Sequence, residues 1–146
     1  MTHAHIEGIA DAIGVAVAAA LRFGGEDLKG VDYIDEVLRF MPNGKTFDRM
    51  VASRLIAEDE IGRAVPGFGT GEECAAFDTV PFCIWMVAHH DDNFADALWK
   101  TAGGFGDSDT TCAIVAGNLC GSGLAIPQNW RKRREDLPTQ MDIIAL

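Results

Sequence analysis

Residues 6–21 read Ile6-Glu7-Gly8-Ile9-Ala10-Asp11-Ala12-Ile13-Gly14-Val15-Ala16-Val17-Ala18-Ala19-Ala20-Leu21, and their spacing decides the fold class. Apolar side chains at Ile6, Ile9, Ala10, Ile13, Val17, Ala20 and Leu21 return every three or four positions, the period of an amphipathic helix. Glu7 and Asp11 stand in the early turns, where the helix dipole favours negative charge, and Gly24-Gly25 supplies a stop.

Working outward, the same period recurs. A second helix is expected over 32–40, ended by Pro42-Asn43-Gly44, and a third over 46–61 with Phe47, Met50, Val51, Leu55 and Ile56 on one side. Pro66-Gly67-Phe68-Gly69-Thr70-Gly71 reads as a break. Residues 72–89 form a buried apolar helix, divided because Pro81 cannot donate an amide and suits a first turn. Asp91 can cap a helix over 93–101 whose Phe94, Ala97 and Leu98 face inward, and after Gly103-Gly104-Phe105-Gly106 a last long helix spans 107–124. Alternating strand patterns are short and weak throughout. The expectation is an all-α single domain over 1–146, with 128–146 a polar, partly frayed tail whose Ile143, Ile144 and Leu146 dock or fray.

Composition narrows the function classes. The chain has 146 residues, 48% of them apolar, and a formal charge of −10. That apolar share supports a folded core, and no apolar run is long enough for a membrane span. So negative a chain lacks the clustered cations that phosphate backbones require, and Arg131-Lys132-Arg133-Arg134 reads as a solvated face rather than a nucleic-acid surface. Cys74, Cys83, Cys112 and Cys120 sit in apolar segments without metal-site spacing, which predicts buried free thiols in a reducing, cytoplasmic compartment.

Chemistry concentrates in Thr101-Ala102-Gly103-Gly104-Phe105-Gly106-Asp107-Ser108-Asp109-Thr110-Thr111. Aspartate and serine at a helix start are ordinary caps. Two carboxylates and hydroxyls are also the hard oxygens that magnesium prefers. On an ideal helix, positions two apart diverge by about 200°, so Asp107 and Asp109 converge only if Asp107 belongs to the turn and Asp109 opens the helix. An EF-hand counted from Asp107 fails, because Cys112 and Asn118 occupy its glycine and glutamate places, and no Gly-Lys-Ser/Thr follows for a phosphate loop. Small residues Ala113, Ala116, Gly117 and Gly121 permit another helix to approach closely, which would bury the acidic start. Thr2-His3-Ala4-His5 offers two imidazoles before the first helix, suited to surface exposure or to substrate and metal contact. His89-His90-Asp91-Asp92 suits the dipoles at a junction of two helices.

Thr79-Val80-Pro81-Phe82, Ala97-Leu98-Trp99, the run from Gly106-Asp107-Ser108-Asp109-Thr110-Thr111 through Cys112-Ala113-Ile114, and Ile126-Pro127 together resemble the C-terminal half of bacterial ADP-ribosylglycohydrolases. Thr2-His3-x-His5-x-x-Gly8 is similar to the histidine motif that precedes the family's C-terminal helices. The resemblance implies an all-α orthogonal helical bundle of that type, incomplete here, with a two-magnesium (Mg2+) centre that hydrolyses the N- or O-glycosidic bond between ADP-ribose and a protein or small-molecule acceptor. It implies metal ligation by Asp107, Asp109 and Thr110 and substrate contact by His3 and His5, with Gly104 and Gly106 shaping the substrate-binding loop; it assigns no catalytic residue. The family's Gly-Asp-rich opening with a glutamate, its Thr-Asp-Asp element and its phosphate loop have no counterpart before His3. The expectation is therefore a chain inactive until a separate N-terminal half joins it, the other class of reading being a noncatalytic helical module for a nucleotide or protein.

Overall fold

The computed structural model describes residues 4–73 and 75–135, and among these residues every regular element is helical, with eight α-helices, one short 3-10 turn and no strand. The all-α expectation holds. Its axis is α5 (Val80–His89), in which Val80 through Ala88 are all buried, as befits a helix apolar all round. Pro81 lies in the first turn, where no intrahelical partner awaits its amide, and a separate 3-10 turn (Ala76–Asp78) precedes it.

Helix α1 (Ile6–Phe23) packs on α5 and on α7 (Ser108–Gly121). Its limits match the sequence reading, but its fully buried face overlaps the expected one only at Ala10. The buried positions are Ala10, Gly14, Ala18 and Arg22, whereas Ile6 is 49% exposed and Ala20 faces out. Close packing selects the small side chains: a Cβ on Gly14 would stand 3.2 Å from the Met41 Sδ. Val17 and Leu21 flank this stripe, half-buried against the core.

Helix α2 (Gly30–Leu38) buries Tyr33, Ile34 and Val37 against α5. Helix α3 (Lys45–Ser53) stops well short of the 46–61 span that periodicity suggested, with the Ser53 hydroxyl donating back to the Met50 carbonyl at 2.7 Å. Leu55, assigned by spacing to the buried side, is 81% exposed in the following turn. Residues read as the start of a glycine break instead form α4 (Ile61–Phe68), which carries Pro66 inside it and buries Ala64 and Phe68. The break begins at Gly69.

Helix α6 (Phe94–Ala102) is capped by Asn93, whose side chain accepts the Asp96 amide at 3.0 Å. Asp91, expected as that cap, is drawn away by ion pairs to Arg22 and Lys29, each at 3.0 Å. Helix α8 (Gln128–Arg133) orders the start of the polar tail, and Trp130 meets Phe94 and Trp99 edge-on with ring centroids 6.2 Å apart in each pair. Its basic residues are exposed, as a solvated run should be; Ile143, Ile144 and Leu146 lie outside the described residues. Cys83 is buried and Cys112 half-buried, but Cys120 is exposed near the end of α7, so the buried-thiol expectation fails there; Cys74 lies outside the described residues. Among the described residues no helix is long and apolar enough to cross a membrane.

Candidate metal site

The loop between α6 and α7 is shaped residue by residue. Gly103, Gly104 and Phe105 donate amides back to Trp99, Thr101 and Ala102, winding down α6. Phe105 and Gly106 then adopt left-handed backbone, φ 61° and 69°. Asp107 leaves this turn with φ −78° as the cap of α7, its Oδ1 accepting the Thr110 amide at 3.3 Å, and Asp109 lies in the first helical turn. This is the arrangement in which the two carboxylates can converge.

A second glycine loop braces the first. The Asp107 amide donates to the Thr70 carbonyl at 2.9 Å, and the Gly71 amide donates to the Asp78 carbonyl at 2.8 Å. A Cβ on Gly71 would stand 2.6 Å from the Asp107 Cβ, and one on Gly69 would overlap the Asp78 carboxylate. Asp78 is buried, accepting the Glu73 amide at 2.9 Å and Arg49 at 3.3 Å, while Arg49 also donates to the Phe68 and Phe77 carbonyls at 3.0 Å each. Arg49 and Asp78 therefore hold the loop that holds Asp107. A cleft of about 260 Å³ beside Gly104 is lined by Arg49, Thr70, Glu72, Glu73 and Asp78.

Asp107, Asp109 and Thr110 share the N-terminal turn of α7, where the Thr110 backbone amide donates to Asp107 Oδ1. The Thr110 side chain, and after it the Asp109 side chain, hold the Asp107 carboxyl below the usual carboxylate range. The acidic start is not buried, contrary to what the small residues of α7 suggested: Asp109 and Thr110 are exposed, and Ala113 and Gly117 face outward. The close approach occurs at the other end of that helix, where a Cβ on Gly121 would stand 2.7 Å from the Phe23 ring.

Whether these residues suit magnesium is a question of donor chemistry. All three are hard oxygen donors, and open coordination positions are what a cation that retains several waters requires. They fit, as a partial ligand set. Among the described residues no group of three or more His, Cys, Asp or Glu side chains is arranged to hold a metal, so this turn provides two carboxylates and a hydroxyl only.

At the opposite end of the sequence His5 caps α1, its Nδ1 accepting the Glu7 amide at 3.2 Å, and lines a cavity of about 490 Å³ with Glu7, Gly8, Asp11, Ala75, Ala76 and Phe77. His3 lies outside the described residues. Glu7 does more than favour the α1 dipole: its carboxylate accepts the Lys45 and Thr46 amides at 2.8 and 2.9 Å and the Thr46 hydroxyl at 2.8 Å, capping α3. Those bonds, the Thr46 amide first, hold its carboxyl low.

Asp11 has the opposite environment. Its Oδ1 is buried without a partner, and burial, aided by nearby Glu7, raises its carboxyl to about 6. A carboxyl raised by folding favours the folded state at acid pH, and that benefit disappears as pH rises through about 6. Asp11→Asn should therefore be more stable than the natural chain by about 1–2 kcal/mol near neutrality, the full shift being discounted for solvent screening. Urea midpoints of both chains, compared near neutral pH and near pH 4, check this; a gap independent of pH contradicts it.

Sequence reasoning found the Asp107 turn and missed its braces. Arg49 and Asp78 lie 29 residues apart and meet only in the fold. The doublet Gly69-Thr70-Gly71 ahead of an aspartate was the available signal.

Fold and site together define an all-α protein with an open acidic oxygen cluster at a helix start, braced by a second glycine loop. The ADP-ribosylglycohydrolase family model matches residues 1–146, and the chain belongs to that family. Searches of curated proteins and of solved structures returned no match.

Proposed function

We propose that this chain is the C-terminal portion of a magnesium-dependent ADP-ribosylglycohydrolase, acting on the N- or O-glycosidic bond between ADP-ribose and a protein or small-molecule acceptor. One observation supports the reading: Asp107 caps α7 and Asp109 and Thr110 follow in its first turn, which sets three hard oxygen donors at one exposed helix start, with the Asp107 carboxyl held low. These residues would hold the cation, which when bound supplies charge to orient substrate oxygens and water. His3 and His5 would contact ribose or phosphate, and Gly104 and Gly106 give the adjoining loop its turn.

Three donors cannot complete two octahedral shells, so water and residues of an N-terminal half make up the rest. Activity on this reading requires that half. Nucleic acid is not an expected partner, because of the negative charge. Free thiols at Cys83 and Cys112 support a reducing, cytoplasmic setting.

The test is magnesium calorimetry on the chain joined to the N-terminal half of a family member. Asp109→Ala should weaken metal binding at least tenfold, a loss of about 1.4 kcal/mol. Unchanged binding overturns the ligand assignment and leaves Asp107 as a cap in a noncatalytic helical module.

A further inference from the structure

His89 and His90 close α5, apart from the proposed metal site. His90 is only 6% exposed, and the Nε2 atoms of both histidines are buried without a hydrogen-bond partner. Both rings pack on Trp85, with centroids 5.1 and 5.7 Å away. Trp85 in turn donates its indole N–H to the Ile56 carbonyl at 3.1 Å, tying down the connection between α3 and α4. From the other side the Lys100 Nζ of α6 lies 3.4 Å from the His90 Nδ1.

We propose that His89 and His90 form an acid-sensitive latch, which in its neutral form holds α6 and the α3–α4 connection to the end of α5 and on proton uptake by His90 releases both. With His90 neutral, the Lys100 ammonium donates to Nδ1 and the ring proton resides on Nε2. Protonation places an N–H on Nδ1, so that two donors of like charge face each other and the contact cannot persist. The imidazolium would also carry its charge beside a buried Nε2 that has no hydrogen-bond acceptor, a larger cost than the same N–H has in the neutral ring.

The surrounding charges set the direction. Glu58 and Asp59 of the connection share a cavity of about 470 Å³ with His90 and Lys100. Asp96 of α6 is engaged by Lys100 at 2.8 Å, Asp91 is engaged by Arg22 and Lys29, and Asp92 by Lys29. Helix α2 brings the Gly30 backbone against His89. Glu58 favours the charged rings, but burial outweighs it at both histidines, and Lys100 adds to burial at His90. Both rings titrate below the ordinary value of 6.5. The stability contributed by the neutral pair is thus complete above that value and is lost as pH falls toward the folded-state titration. Helix α6 leads directly into the loop carrying Asp107, so its release reaches that turn.

The test uses the full chain alone and does not depend on the metal reading. Nuclear magnetic resonance follows the histidine ring protons, and hydrogen exchange follows the amides of 54–60 and 94–102, from about pH 7.5 to about pH 5. Three results are expected: His90 titrates below the ordinary imidazole value of 6.5, protection factors in both segments fall about tenfold with the same midpoint, and Lys100→Met raises that midpoint. His90→Gln should abolish the acid step. If that variant does not fold, the natural chain and Lys100→Met still decide. A His90 that titrates at or above 6.5, protection unchanged through its midpoint, or a midpoint indifferent to Lys100→Met would each overturn the latch.

Discussion

Replacing Arg22 by methionine should destabilise the chain by about 3–5 kcal/mol, the loss typical when one member of a buried ion pair is removed. Arg22 is 4% exposed near the end of α1, and its guanidinium ties together four parts of the fold. It donates to the Val87 carbonyl of α5 at 2.9 Å, to the Leu28 carbonyl at 3.1 Å and to the Asp91 carboxylate at 3.0 Å, and it lies 4.2 Å from the centre of the Tyr33 ring. Methionine fills much of the same space but leaves Asp91, whose side chain is only 9% exposed, with Lys29 alone, and leaves two carbonyls without a donor. For a domain whose whole stability is about 5–15 kcal/mol, that loss is a large fraction. Urea unfolding checks it, and the double variant Arg22→Met with Asp91→Leu should recover part of the loss because no carboxylate remains buried. A loss under about 1 kcal/mol would show that the Arg22 hub does not organise the junction of α1, α2 and α5.

The parts legible in the sequence are those whose determinants are local. Pro81 marks the first turn of α5, Gly24-Gly25 ends α1, and the unbroken apolar run of α5 signals burial on every side. Helix α4 has a local signal too, since Ile61, Ala64, Val65 and Phe68 follow helical spacing, but Pro66 and Gly67 mimic in composition the break that begins only at Gly69. What remained hidden depends on partners far along the chain. Glu7 caps a helix 38 residues away, Asp91 is claimed by an arginine 69 residues away, and the inner face of α1 was set by how near its neighbours could come. The candidate site divides in the same way. Asp107, Asp109 and Thr110 are close in sequence and in space, whereas the Arg49–Asp78 brace exists only after folding.

That brace makes Gly106 the position where fold and site are most tightly linked. Gly106→Ala should cost about 3 kcal/mol or more, because two independent penalties combine. At φ 69° an alanine pays about 1–2 kcal/mol for left-handed backbone. Its Cβ would also stand 2.7 Å from the Thr70 carbonyl oxygen and closer still to the Thr70 hydroxyl. The hydroxyl can rotate, but that carbonyl accepts the Asp107 amide at 2.9 Å and can retreat only by giving up the bond that positions Asp107. The substitution should therefore lower the melting temperature and, in the chain completed by an N-terminal half, weaken magnesium binding although Gly106 supplies no ligand. Gly117→Ala is the matched control. It lies inside α7, the helix that this loop enters, with open space at its Cβ, so the usual preference for alanine should stabilise it by about 0.5–1 kcal/mol. Thermal unfolding of the two variants separates the cases: if Gly106→Ala melts with or above the natural chain, the two glycine loops do not brace each other, and the placement of Asp107 and Asp109 must rest on the α7 cap alone.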